Sequence, residues 1–238
     1  MIYLRSEEID KLASSVIRKY KEYVGTEWEL FCVDPMKLAE MCGCEITFID
    51  FGDDTDTLGF TAFNDMTVTV TDVNQADIDL ELKEGSIVIN EALKRGCVGR
   101  LNFTIAHEVA HHIINKMCGA EYSLKHRRLP HFEKAGNRFS VDYDEYMANQ
   151  LAAAILMPNE LVNLVFATVF GEDRINRIHS ILDKSKFRKF CAIAALFGVS
   201  KGALAIRLQK KGLLGEYIFA GYESILDIYP SDEEQIAS

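Results

Sequence analysis

The stretch NFTIAHEVAHHI, residues 102–113, constrains this chain more than any other. Its apolar residues follow a helical period, with Leu101, Ile105, Val109 and Ile113 along one stripe. On a helix, His107 and His111 sit one above the other, with Cβ atoms about 5–6 Å apart. Both imidazoles then reach a single ion at about 2.0–2.1 Å, the Zn–N distance. Glu108 is turned about 100° further round the helix. It need not compete as a ligand and can take the proton of a water activated at the ion, whose pKa zinc lowers to about 7. The spacing thus separates holding a metal from activating water. The plainer alternative is two partly buried helix histidines, because a bare HExxH also arises by chance.

A third ligand decides between these readings, since a catalytic zinc takes three from protein. Position 114 is isoleucine and 117 is methionine, so the extended HExxHxxGxxH pattern is absent. His112 points about 100° away from His111. His126 and His131 lie in a segment, 120–141, that reads as a loop rich in lysine and arginine. The best candidate lies in DEYMANQLAAAILMP, 144–158, which reads as the next helix. There Glu145 can close the site, while Asn149, one turn on, hydrogen-bonds the far nitrogen of a histidine ligand. On spacing alone Glu145 is equally well an exposed carboxylate in a first helical turn. An oxyanion donor is also needed for amide hydrolysis, and His126, His131, Tyr143 and Tyr146 are the side chains within sequence reach.

Taken together, RLNFTIAHEVAHHI (100–113) and DEYMANQLAAAILMP resemble the ImmA/IrrE family of bacterial metallopeptidases. The family's segment R-x-x-F-T-x-A-H-E-x-x-H is matched by Arg100, Phe103, Thr104, Ala106, His107, Glu108 and His111. VDPMKLAEMCGCEITFID (33–50) is similar to its opening helix and strand, and FGVSKGALAIRLQKKGLL (197–214) to its closing helical segment. Leu151 stands where the family often has phenylalanine. The resemblance implies that His107, His111 and Glu145 hold one Zn2+ and that Glu108 is the general base. It also implies a protein substrate, a repressor of the helix-turn-helix type from a mobile element or a stress response.

The remaining sequence is expected to form an α+β fold. A helix follows Ser6, with Ile9, Leu12, Ala13, Val16 and Tyr20 on one face and Gly25 at its end; a short one starts at Asp34-Pro35. Strands are expected at 45–50, 59–63, 66–70, 77–83 and 86–90, with Asn64-Asp65 turning a hairpin between the second and third. The result is a small, twisted, mostly antiparallel sheet packed on the metal helix and the Glu145 helix. The expected organisation is a core over 1–158, a helical C-terminal subdomain over 159–228 and a disordered tail over 229–238. A substrate strand is expected to add to the sheet edge formed by 66–72 or 86–90.

The charge balance narrows the partners. The formal net charge of −10 on the 238-residue chain argues against nucleic acid as the main partner, since phosphate binding needs clustered basic charge, and leaves room only for a small basic patch. No apolar run approaches a membrane span of roughly 18 residues, so no membrane partner is expected. The N-terminus MIYLRSEEIDKL is charged and amphipathic, unlike a signal peptide, which points to the cytoplasm and to reduced thiols for the six cysteines. The rival function is transcriptional regulation through 188–211, where AALFGVSKGALAIRL scans as a helix-turn-helix and Lys201, Arg207, Lys210 and Lys211 offer phosphate contacts. Leu204, Ile206 and Leu208 are expected to pack inward, which favours a structural role. A third possibility is an inactive binding module on the same fold.

Overall fold

A computed structural model gives the fold and describes residues 4–26, 32–52, 57–71, 76–118 and 143–219. The expected loop 120–141, with His126 and His131, and the expected tail 229–238 lie outside the described residues.

Helix α1 (Ser6–Val24) buries Ile9, Ala13, Val16 and Tyr20, the stripe its sequence spells. Ser6 begins the helix rather than capping it; the preceding Arg5 N–H donates to Glu8 Oε2 at 2.8 Å. Gly25 ends α1 at φ 68°, a left-handed position that a residue with a Cβ adopts at a cost. Asp34 caps α2 (Pro35–Met41), its carboxylate accepting from Met36 N at 2.9 Å.

The strands are β1 (Glu45–Ile49), β2 (Gly59–Thr61), β3 (Met66–Thr71), β4 (Asp77–Leu82) and β5 (Ser86–Asn90). They divide between two sheets. The first has the order β1-β5-β2, with β5 parallel to β1 and antiparallel to β2. The second is the antiparallel β3–β4 pair. The hairpin expected at Asn64-Asp65 does not pair its two flanks: β2 goes to β5 instead, and β3 to β4. One face of the first sheet, carrying Ile87 and Ile89, belongs to the main core. The other, carrying Phe60, Ala62 and Val88, packs on Val68, Val70 and Leu82 of the hairpin. That is the alternation expected of strands covered on both faces.

After a 3-10 turn (Glu91–Arg95) comes α3 (Val98–Cys118), followed among the described residues by α4 (Tyr143–Leu156). Helices α3 and α4 pack on each other more extensively than any other pair of helices. Ala106 and Ala110 on α3, and Ala148 and Ala152 on α4, are wholly buried. Small side chains at a helix–helix contact shorten the distance between the axes, so the two helices bring their polar residues close.

The C-terminal part contains α5 (Asn159–Phe170), β6 (Ile175–His179), α6 (Lys184–Leu196), α7 (Lys201–Lys210) and β7 (Leu214–Ile218). Beside the expected helices it holds a strand pair the sequence did not suggest, β6 parallel to β7. One cluster of buried apolar side chains runs from Ile9 on α1 to Phe219, through both parts of the chain. The fold is α+β, and among the described residues no single helix is long and apolar enough to cross a membrane.

Helices α6 and α7 meet at 98° through Gly198 and the Ser200 cap, in the manner of a helix-turn-helix. Leu204 and Leu208 are fully buried, but Ile206 is exposed and Arg207 is buried in its place. The Arg207 guanidinium donates to Asn159 Oδ1 at 2.8 Å and to Met157 O at 3.2 Å, and pairs with Asp10 Oδ1 at 3.4 Å. A cation held inside by three elements is not presented to a phosphate, which removes one of the four basic residues the regulator reading relied on.

Gly99, in the first turn of α3, fixes how that helix meets the α6–α7 turn. A Cβ there would lie 2.3 Å from both Ser200 N and Val199 C. Backbone cannot retreat as a flexible side chain can. G99A should therefore destabilise the chain by about 1–3 kcal/mol, as overpacking does, read as a lower denaturant midpoint. An unshifted midpoint would mean that the two segments separate freely.

Candidate metal centre

The middle of α3 lies between the first sheet and α4, and its polar residues are buried there. His107, Glu108, His111 and His112 are each between 5% and 7% exposed. Burying imidazoles and a carboxylate is costly unless each finds a partner.

His107 and His111 face α4. Their Nε2 atoms are 3.1 Å apart, with the rings nearly perpendicular at 88°. Glu145, in the first turn of α4, completes a triangle: Oε2 is 3.2 Å from His107 Nε2, and Oε1 is 3.1 Å from His111 Nε2. Donors around a tetrahedral ion at about 2.0–2.1 Å are separated by about 3.3–3.4 Å. The three side chains therefore fit a zinc ion as they stand. Two ring nitrogens and a carboxylate are also a donor set that zinc takes in catalytic sites. Among the described residues this is the one group of three ligand-type side chains so placed. Burial works to raise the pKa of Glu145, but the contacts with His107 and His111 outweigh it, and the carboxyl stays below its usual range. It is an anion at neutral pH, as a ligand must be.

Glu108 stands outside this triangle. Its Oε2 accepts a hydrogen bond from Thr61 Oγ1 at 2.7 Å, across 47 residues of sequence. His112 is turned away from the triangle, toward Gly85 of the β4–β5 turn. Burial, then Lys116, lower the His112 pKa, so the ring stays neutral.

The other expected residues are placed less usefully. Asn149 is half-buried, and no hydrogen bond joins it to His107 or His111 among the described residues. Tyr146 is partly exposed, its ring centre 5.3 Å from Lys210 Nζ, and Tyr143 is exposed at the start of α4. No hydrogen bond links Tyr146 to the triangle.

Strand β2 borders the site. Asn90 N donates to Leu58 O, and Ala62 N to Ser86 O. Alternate residues of an antiparallel ladder exchange these bonds, so Gly59 and Thr61 turn their backbone N–H and C=O groups to the opposite edge. Among the described residues no strand pairs with that edge. The expectation that 86–90 supplies a free edge is corrected: β5 is central, with β1 and β2 on its two sides. Of the expected alternative, 66–72, the described residues 66–71 pair with β4 along one edge, in the separate hairpin sheet. The edge beside Glu108 is β2.

A two-histidine helix turn, a carboxylate from the neighbouring helix and a second carboxylate left out of the cluster define a site of the metallopeptidase class. Comparison with known proteins agrees. Residues 63–209, more than half of the chain, match the peptidase family described as the IrrE N-terminal-like domain, and the chain belongs to that family. Among curated proteins none matches the chain.

Proposed function

We propose that this chain is a zinc-dependent endopeptidase that hydrolyses one peptide bond in a partner protein. A helix-turn-helix repressor of a mobile element or a stress response is the expected partner. The observation that carries the reading is the convergence of His107, His111 and Glu145 within 3.1–3.2 Å of one another beside a carboxylate they do not use. A zinc ion in such a set polarises the scissile carbonyl and lowers the pKa of water to about 7.

The chain's own residues carry the rest. Glu108 takes a proton from the water that attacks the carbonyl carbon. As the carbon–nitrogen bond breaks, Glu108 returns that proton to the departing amine nitrogen. His107, His111 and Glu145 hold their donor atoms still, because buried packing of α3 on α4 fixes both helices. The substrate backbone adds as a strand beside β2, using the outward N–H and C=O groups of Gly59 and Thr61. Main-chain pairing of this kind selects for an extended segment and leaves sequence choice to neighbouring pockets.

The test is incubation of the zinc-loaded chain with the helix-turn-helix repressor encoded beside its gene. Two fragments should appear from a single cut, and a chelator should stop the reaction. An intact repressor, together with salt-dependent and sequence-specific DNA binding by the chain itself, would replace the hydrolase with the regulator reading.

A further inference from the structure

Thr61 belongs to no motif, yet its hydroxyl is the group that meets the carboxylate of Glu108. The contacts are 2.7 Å to Glu108 Oε2 and 3.0 Å to the Glu108 backbone carbonyl, and both residues are 7% exposed. A hydroxyl has one hydrogen to give. Of two acceptors the nearer one takes it, and 2.7 Å is the usual length of a well-formed O–H···O bond. Oε2 is thereby engaged, and Oε1 is left as the oxygen that can face a reacting water.

The strand is built to hold that hydroxyl in place. Gly59, two residues earlier on the same face of β2, has no side chain; a Cβ would lie 2.8 Å from Val88 O and 2.9 Å from Ile89 Cδ1. It would also lie 3.6 Å from Glu108 Cγ, so β2 runs directly against the base. Pairing of Gly59 with Ile89 and Thr61 with Ile87 fixes the register. A slip of one residue would turn Thr61 to the hairpin side.

We propose that Thr61 is a positioning residue for Glu108: it fixes which carboxylate oxygen exchanges protons and ties that choice to the strand along which the substrate lies. The inference rests on the hydrolase reading. The Thr61 hydroxyl acts through Glu108 alone, while any pairing with the substrate strand uses the Thr61 backbone.

The experiment compares T61V, which keeps the shape and loses the hydroxyl, with T61S, which keeps the hydroxyl and loses the methyl. The probes are an internally quenched peptide cut by the zinc-loaded wild type, and acetohydroxamic acid. The latter chelates zinc through two oxygens and hands its acidic proton to a neighbouring carboxylate, so its affinity reports where Glu108 stands without any bond being cut. T61V should lower kcat by about 10- to 100-fold, the scale of a misplaced catalytic group. Its KM and zinc stoichiometry should not change, and acetohydroxamic acid should bind it more weakly. T61S should recover most of both losses. Wild-type values in T61V would overturn the proposal, and so would a loss in T61S equal to that in T61V, which would show that retaining the hydroxyl does not retain the function. If the wild type cuts no peptide, the hydrolase reading fails by itself. The acetohydroxamic acid comparison then still decides whether the Thr61 hydroxyl orients Glu108.

Discussion

Replacing Glu108 with glutamine should leave a chain that binds zinc at wild-type stoichiometry and cleaves nothing measurable. Glutamine has nearly the same shape, and its carbonyl oxygen still accepts from Thr61, so the α3–β2 contact survives. What it lacks is a basic oxygen. General bases contribute typically about 10²- to 10⁴-fold to rate, and here one group serves both proton transfers, so the loss should reach the upper end. Zinc should stay because the cluster consists of His107, His111 and Glu145, with donors within 4.8 Å of one another, and does not include Glu108. The check is metal analysis of the purified variant beside a single-turnover cleavage assay. Wild-type cleavage by E108Q would move the base elsewhere and undo the assignment of roles on α3.

Much of the helical frame was legible from local pattern. The stripe of Ile9, Ala13, Val16 and Tyr20 and the Asp34-Pro35 start state their own geometry, because period and caps are properties of a few neighbouring residues. Sheet pairing is not local. Asn64-Asp65 carries a turn signal and does turn the chain, but the partner of β2 is β5, set by which faces can be buried together. Strand β6 hid for a different reason. In INRIH the buried residues are Ile175 and Ile178, three apart, a spacing that reads as helix rather than as an alternating strand.

The α7 helix shows both outcomes within five residues. Leu204 and Leu208 are four apart and share the buried face, whereas Ile206 lies about 200° round from Leu204 and is exposed. Arg207 looks like surface charge, and its burial depends on Asp10, 197 positions away. The metal centre divides the same way. The i, i+4 spacing of His107 and His111 is self-announcing. Glu145 lies 34 residues beyond His111, so spacing left it level with an ordinary first-turn carboxylate, and only the resemblance singled it out. Thr61 gave no signal, because nothing in a short apolar strand says which helix residue its hydroxyl will meet.

Glu145→Ala should cost the chain its metal. Without Glu145, two imidazoles on one helical turn are the whole protein contribution, where a catalytic zinc takes three ligands. Loss of a hydrogen-bonding partner behind a ligand already costs about 10- to 100-fold in affinity, so removing a ligand should cost at least about 100-fold. The charge matters as well as the position. Glu145 is held as an anion between the two rings, and its negative charge offsets the charge of a cation brought into a buried site. Glu145→Gln keeps an oxygen at the same reach without that charge, and should fall between wild type and alanine. Competition against a chelator gives the affinities. Circular dichroism should report an unchanged fold, since α4 is anchored by Met147, Ala148, Leu151 and Ile155, each no more than 1% exposed. Wild-type zinc affinity in the alanine variant would put the third ligand on another residue, and the triangle of 3.1–3.2 Å contacts would then be a pairing of buried polar groups with no metal behind it.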